Sequence, residues 1–208
     1  MKKLILVVFY LLIFNSSAIA LVEVDITRGN LDPLPIAVSP LHVELGSKDI
    51  KGDKVIKNVG SEISKIIEVN FRRSGLFNPL KKDSFVQKPD IVHLKPRFED
   101  WRLIKAQALV TGKASITDDK LRVEFRLWDV VAAKEMVALA FSTTPANWRR
   151  VAHIISDKIY KRLTGEEGYF DTRIIYVSET GEKTQRFKKL AIMDQDGANV
   201  KYFTFAPS

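Results

Sequence analysis

The sequence has 208 residues, no cysteine and a formal net charge of +8. The lack of cysteine excludes disulfides, thiolate metal sites and cysteine nucleophiles, so an apolar core must supply the stability. Hydrophobic residues make up 46% of the chain, enough for one ordinary domain and some surplus.

The N-terminus has the three regions of a secretory signal peptide. Lys2 and Lys3 precede an apolar run from Leu4 to Phe14, and Ala18-Ile19-Ala20 forms an A-x-A cleavage site. The run has 11 residues, whereas a membrane-spanning helix needs about 20. We therefore expect cleavage after Ala20, export to the periplasm and no membrane insertion of the mature chain. Cleavage lowers the charge to +6, and export argues against a nucleic-acid partner.

The first mature residues form a segment that is able to become a strand. Apolar and polar side chains alternate through Leu21, Val22, Glu23, Val24, Asp25, Ile26 and Thr27. Such a segment can complete the sheet of its own domain or add a strand to a partner. Both alternatives remain open from the residues alone. A short strand is predicted next, over Leu34–Val38, with Pro35 near its start.

A first amphipathic helix is predicted from Val55 to Arg73. Its apolar residues recur at spacings of three and four, Asp53 can cap its start, and Gly75 follows its end. Residues 74–80 are then predicted to turn sharply.

Three strands with short connections are predicted next. Apolar and polar residues alternate over 107–116, 121–128 and 136–141, and Asp118-Asp119 is predicted to form the turn between the first two of these runs. The pattern indicates an antiparallel meander with one face toward the core. Asn147 then begins a second amphipathic helix, which ends at Thr164-Gly165. The predicted fold is a two-layer α/β (α+β) domain with a mixed sheet and two main helices.

The pattern changes again after Gly168. Three β-runs are predicted over 173–178, 189–193 and 200–205, with a polar loop after the first and a tight turn at 194–197. No helix covers these strands in the sequence pattern, and a fourth strand does not follow them. We expect this part either to be poorly ordered or to lean on the first domain.

Motifs for catalysis are absent from the sequence. It has no P-loop, no G-x-S-x-G and no H-E-x-x-H. The three histidines are far apart, and His153 with Asp157, four residues later, is interpreted as a pair on the helix surface. The sequence therefore predicts no enzyme activity, no metal site and no cofactor.

Two further features of the second helix allow structural interpretations. The pair Arg149-Arg150 lies in its first turn, where cations oppose the helix dipole. This pair is either a solvated charged face or the partner of Glu166 and Glu167. Trp128 and Trp148 are predicted to lie in the core.

Several stretches of the mature chain resemble the TolB family of the Tol-Pal system. The most specific is WRRVAHIISDKIYKRLTGEEGYFDTRIIYVSE at 148–179; the others are ITRGNLDPLPIAV (26–38), RSGLFNPL (73–80), FRLWD (125–129) and LAIMDQDGANVKYFT (190–204). The resemblance implies an α/β domain followed by a six-bladed β-propeller. It divides the chain into a signal peptide (1–20), a partner-binding segment (21–33), the α/β domain (34–168) and an incomplete first blade (169–208).

The resemblance also implies a function. Family members are non-enzymatic periplasmic adaptors that link inner-membrane TolA to the lipoprotein Pal and peptidoglycan, and that support outer-membrane integrity, cell division and protein import. Residues 21–27 would contact TolA, other outer-membrane proteins could be further partners, and Pal binding would be lost with most of the propeller. An exported hydrolase or lipid-binding domain is the alternative that the residues leave open.

Overall fold

A computed structural model describes residues 32–45, 58–117, 119–182 and 185–203. The expected signal peptide (1–20), most of the N-terminal segment (21–31) and the first residues of the predicted helix (55–57) lie outside the described residues.

The larger sheet has six strands. They are β1 (Leu34–Val38), β2 (His42–Leu45), β3 (Phe77–Pro79), β4 (Ala108–Thr117), β5 (Lys120–Asp129) and β6 (Lys134–Thr143). Their order is β3-β1-β4-β5-β6, and β2 pairs with the part of β4 that β1 does not cover. Strands β1, β2, β3 and β4 pair in parallel, whereas β4, β5 and β6 form the predicted antiparallel meander.

In the part of the chain that the structure describes, two long and two short helices flank this sheet. They are α1 (Val59–Ser74), α2 (Pro89–Val92), α3 (Phe98–Leu103) and α4 (Trp148–Thr164), with 3₁₀ turns at Lys82–Ser84 and Pro145–Asn147. Both long helices end as predicted, because Gly75 and Gly165 adopt the left-handed conformation with φ of 72° and 79°. Asn147 precedes α4, but its side chain contacts the hydroxyls of Thr143 and Thr144 and does not cap the helix.

Helices α1 and α4 pack against each other and against one face of the sheet. The stripe predicted for α1 is buried there, including Ile63, Ile67 and Phe71. Alternate residues of the strands, such as Ile36 on β1 and Phe125 on β5, complete this main core. Since each large apolar side chain contributes roughly 1.5 to 3 kcal/mol when fully buried, this layer is a major source of stability.

A smaller core lies on the opposite face of the sheet. Trp101 of α3 is 1% exposed there, and its indole nitrogen donates to Gln87 Oε1 at 2.8 Å. Trp128 and Trp148, predicted as core residues, lie at the edges of the cores: both are half-buried, Trp148 packs against the main core and Trp128 against the smaller one. The sharp turn predicted over residues 74–80 is confined to its start, where Gly75 is left-handed, because residues 77–79 form β3 and pair with β1.

A second, three-stranded antiparallel sheet follows α4. It consists of β7 (Arg173–Thr180), β8 (Phe187–Asp194) and β9 (Lys201–Phe203), in that order. The predicted tight turn follows β8, with Gly197 at a φ of 86°. A mixed six-stranded sheet with two main helices, followed by a three-stranded sheet, confirms the predicted α/β fold class.

Candidate partner-binding surfaces

The second sheet meets the first domain at a polar contact between the turn after β8 and the two long helices. We call its members the junction cluster: Asn70 of α1, Arg149, His153 and Ser156 of α4, and Gln195 and Asp196 of the turn. Most of these side chains are buried or nearly so, although none of them is apolar. Burying a polar group costs free energy unless the group forms hydrogen bonds. The hydrogen bonds within the junction cluster therefore decide whether it stabilises the contact.

Asn70 is the centre of the junction cluster. Its Oδ1 accepts a hydrogen bond from Gln195 Nε2 at 3.0 Å. Its Nδ2 donates to Ser156 Oγ at 2.9 Å and contacts His153 Nδ1 at 3.0 Å. Because Ser156 Oγ itself donates to the carbonyl oxygen of Ala152, both hydrogens of the Asn70 amide are used and His153 Nδ1 must be the acceptor.

The His153 imidazole is held in its neutral form. The side chain is 3% exposed, and burial lowers its pKa even though Asp196 opposes that effect. With Nδ1 accepting, the proton is on Nε2, which lies 3.6 Å from Asp196 Oδ2. The predicted surface pair of His153 with Asp157 is therefore wrong: His153 points into the junction cluster.

The two arginines at the start of α4 pair with acidic residues after the helix, which is one of the two alternatives, but their partners are not Glu166 and Glu167. Arg149 forms an ion pair with Asp196, and Arg150 forms one with Asp171 at 3.2 Å. The predicted pairing with Glu166 and Glu167 is wrong, and Glu167 contacts Lys161 instead. The Arg149 guanidinium is mostly buried, whereas that of Arg150 is 66% exposed, so Arg149 is the structurally important member.

The connection between α4 and β7 is held tightly against the helix. Asp157 accepts backbone N–H groups of Phe170 at 2.7 Å and of Asp171 at 3.1 Å. Burial raises the pKa of the Asp157 carboxyl, while these two bonds act in the opposite direction. Phe170 is buried in the main core, and a Cβ on Gly168 would lie 2.3 Å from Asp157 Oδ1. Position 168 therefore requires glycine.

Arg73, at the end of α1, completes the attachment of the turn. Its guanidinium donates to the backbone oxygen of Gln195 at 2.9 Å. Both long helices therefore bind the turn after β8. This agrees with the second of the two expectations for residues 173–208, namely that they rest against the first domain.

Several apolar side chains of the second sheet remain exposed. They include Ile174, Ile175, Val177, Phe187, Tyr202 and Phe203. Exposed apolar groups at this density are typical of a surface that another unit covers.

The candidate partner-binding residues Leu21–Thr27 lie outside the described residues, so their position relative to the sheets stays a prediction. Within the described ranges, no helix is both long enough and apolar enough to cross a bilayer.

The amino-terminal domain of TolB matches this chain over residues 22–136, more than half of its length. The chain belongs to the TolB amino-terminal domain family. This confirms the family resemblance found in the sequence. It also agrees with the prediction that the chain is not an enzyme, because TolB is a non-enzymatic component of the Tol-Pal system.

Two TolB proteins illustrate the extent of the similarity. The Tol-Pal system protein TolB of Pelagibacter ubique (strain HTCC1062) is 68% identical over 195 residues, which are 93% of this chain and 44% of that protein. The crystal structure of TolB from Acinetobacter baumannii superimposes with a TM-score of 0.65 at 25% identity, covering 82% of this chain and 38% of that one. The chain thus spans less than half the length of these TolB relatives.

One feature of the sequence indicates a buried polar contact in the junction cluster. Asn70 occupies a position in the apolar stripe of α1, three residues after Ile67. A polar residue in a buried stripe requires a buried polar partner. Gln195 could not have been identified as that partner, because it is 125 positions away.

Proposed function

We propose that this chain is the periplasmic, non-enzymatic adaptor of a Tol-Pal system, and that it binds TolA through residues Leu21–Thr27. The observation that carries the proposal is the extent of the family match, which begins at Val22 and so includes nearly all of this segment. The segment is therefore part of what the chain shares with the TolB amino-terminal domain.

The chemistry of the segment supports binding by strand addition. Val22, Val24 and Ile26 fall on one face of an extended chain, and the polar residues between them fall on the other. Backbone N–H and C=O groups of such a segment pair with the edge of a partner's sheet, and the apolar face fits into pockets there. Residues 28–33 separate the segment from β1 in the sequence, and β1 pairs on both sides, with β3 and β4. The strand that follows the segment is therefore well anchored in the sheet.

We further propose that residues 169–208 are the start of the first blade of a β-propeller, and that 34–168 are the α/β domain. A propeller blade is a four-stranded antiparallel sheet, and strands β7, β8 and β9 have that pairing. The exposed apolar residues of these strands are suited to contact with a further strand or a neighbouring blade. Because Pal binding in the family requires the propeller, we propose that these 208 residues alone do not bind Pal.

The proposed location is the periplasm, after cleavage of residues 1–20. There the adaptor would connect TolA with the outer membrane, and would contribute to outer-membrane integrity, to constriction during cell division and to protein import. Other outer-membrane proteins are proposed as further partners. No nucleic acid and no cofactor are part of this proposal.

Isothermal titration calorimetry with the purified C-terminal domain of TolA tests the proposal. The chain from residue 21 onward should bind, and deletion of residues 21–27 should abolish binding. The double variant Val24→Asp, Ile26→Asp should also fail, because charges in apolar pockets are costly.

A matched control is Leu103→Asp, which changes an apolar residue that is 81% exposed on α3. It should bind TolA as the unchanged chain does. If the chain lacking residues 21–27 keeps its full affinity while its circular dichroism spectrum is intact, the proposed site is wrong.

A further inference from the structure

Two histidines that are 51 positions apart in the sequence meet beside the exposed end of β2. The imidazoles of His42 on β2 and His93 after α2 stack with their centroids 4.5 Å apart and their planes 5° from parallel. The carboxylate of Glu44, two residues after His42, lies beside them. One potential ligand atom from each of the three residues lies within 4.8 Å of the other two.

We propose that His42, Glu44 and His93 form a binding site for a divalent transition metal ion of the zinc class. Two imidazole nitrogens and one carboxylate suit Zn²⁺, Ni²⁺ or Cu²⁺, whereas Mg²⁺ and Ca²⁺ prefer oxygen ligands only. The proposal revises the sequence-based prediction of no metal site, which rested on the distance between the histidines along the chain.

His93 is already oriented as a metal ligand. Its Nδ1 lies 2.8 Å from the carbonyl oxygen of Pro89, so Nδ1 carries the proton and donates it. Nε2 is then left with its lone pair free to bind a cation. Histidines that bind a metal through one ring nitrogen usually donate a hydrogen bond from the other nitrogen to a carbonyl oxygen, which fixes the orientation of the ring. His93 is also buried, so its ring has little freedom to move.

A groove provides room for the ion and for water. It has a volume of about 370 Å³, and Glu44 and His93 lie in its wall together with Gly112 and Leu139. With three protein ligands, a tetrahedral zinc ion keeps one position for water. The groove would supply that water.

The basic residues near the groove set the cost of binding. Lys113 Nζ lies 3.2 Å from Glu44 Oε2, and a cation at the site would repel the Lys113 ammonium group. Lys113 pairs directly across the sheet with Glu124, whose pKa the hydrogen bond from Arg122 keeps low. Lys113 can therefore move from one carboxylate to the other when a metal ion binds Glu44. Arg126 donates to the backbone oxygen of His93 and lines the same groove, so it adds a second positive charge to the cost of binding.

Binding requires one local rearrangement. An imidazole binds a metal ion in the plane of its ring, so two nearly parallel stacked rings cannot both hold the same ion. His42 is half-buried and has room to tilt, whereas His93 is held by Pro89. We therefore expect the histidine stack to open when the ion enters.

A second group, formed by His153, Asp194 and Asp196, also brings potential ligand atoms together. It is a poorer site, because Arg149 already forms an ion pair with Asp196 and would repel a cation. Substitutions of His42 or Glu44 change only the first group and substitutions of Asp196 change only the second, so mutation distinguishes binding at the two groups.

The test is a titration of the exported chain, without any histidine tag, with ZnCl₂ in an isothermal calorimeter. The expected result is one zinc ion per chain, and an affinity at least about tenfold weaker in His42→Gln and in Glu44→Gln. Glu167→Gln is the matched control, because its carboxylate is 77% exposed after α4, pairs with Lys161 and does not line the groove. Its affinity should equal that of the unchanged chain.

Nuclear magnetic resonance of the imidazole nitrogens provides a second measurement. Zinc should shift the signals of His42 and of His93 Nε2, and leave that of His153 unchanged. Three results would overturn the proposal: no saturable binding, unchanged affinity in both His42→Gln and Glu44→Gln, or a loss of binding in Asp196→Asn alone.

Discussion

Gln195 Nε2 donates a hydrogen bond of 3.0 Å to Oδ1 of Asn70, across 125 positions of the chain. This bond joins the turn of the second sheet to the first long helix of the α/β domain. The contact is polar and buried, unlike the apolar contacts within the domain itself. Buried polar contacts of this kind fix one relative position, because each donor must meet its own acceptor. The junction cluster therefore sets how the second sheet is attached.

Asn70→Ala should destabilise the chain. The substitution leaves Gln195, His153 and Ser156 without their common partner, and each buried polar group left unpaired costs about 1 to 3 kcal/mol. Urea unfolding followed by circular dichroism measures the effect. Asn78→Ala, at an exposed position of β3, is the matched control and should change the free energy of unfolding by less than about 0.5 kcal/mol. Equal effects of the two variants would contradict the role given to Asn70.

Arg149→Ala should loosen the turn after β8. It removes the ion pair with Asp196 and leaves that mostly buried carboxylate beside a neutral imidazole. Hydrogen exchange should become faster at the amides of Asp194 and Gly197, which bond within the turn. The neighbouring variant Arg150→Ala removes an exposed pair with Asp171 and should leave this exchange unchanged. If Arg150→Ala has the larger effect, Arg149 is not the residue that holds the turn.

Gly168→Ala should destabilise the connection between α4 and β7. The added methyl group would lie 2.6 Å or less from three atoms of Asp157, so the connection would have to move and weaken its bonds to that carboxylate. Overpacking of this kind costs about 1 to 3 kcal/mol. The control is Gly165→Asn, because Gly165 has open space around it and asparagine tolerates its left-handed conformation. Thermal unfolding of both variants checks the prediction, which fails if Gly168→Ala melts as the unchanged chain does.

The stability of the chain should fall as the pH is lowered from about 7.5 to about 5.5. Burial lowers the pKa of His153 in the folded state, so the unfolded chain binds a proton that the folded chain does not. The free energy of unfolding therefore decreases as the pH falls below the unfolded pKa of about 6.5.

The variant His153→Asn isolates this contribution. It keeps an acceptor near the position of Nδ1 but does not titrate in this range, so its stability should depend less on pH. The raised pKa of Asp157 acts in the opposite direction in both proteins, so the difference between the two proteins reports mainly on His153. Equal losses of stability in both proteins between the two pH values would contradict the assignment.

Local patterns were sufficient to predict most of the first domain. The helical period located the buried stripe of α1, and glycines at 75 and 165 marked where both long helices end. Alternating polarity located the antiparallel meander, because each of its strands is ten residues long and pairs with its neighbour in the sequence. The fold class followed from these elements.

Features that depend on distant partners could not be predicted. Strand β3 has only three residues, and it is a strand because β1 lies beside it. The sequence offers only nearby acids as partners of Arg149, whereas the fold brings Asp196 to it from 47 positions away. His42 and His93 meet for the same reason. Their stacking depends on the pairing of β2 with β4, which no local pattern indicates.

We propose that this domain presents residues 21–27 to TolA. Hydrogen exchange of the mature chain, with and without the C-terminal domain of TolA, tests the claim most directly. Backbone amides of residues 21–27 should become protected when TolA is added, and those of β7, β8 and β9 should not change. Protection of these three strands without any change in residues 21–27 would contradict the claim.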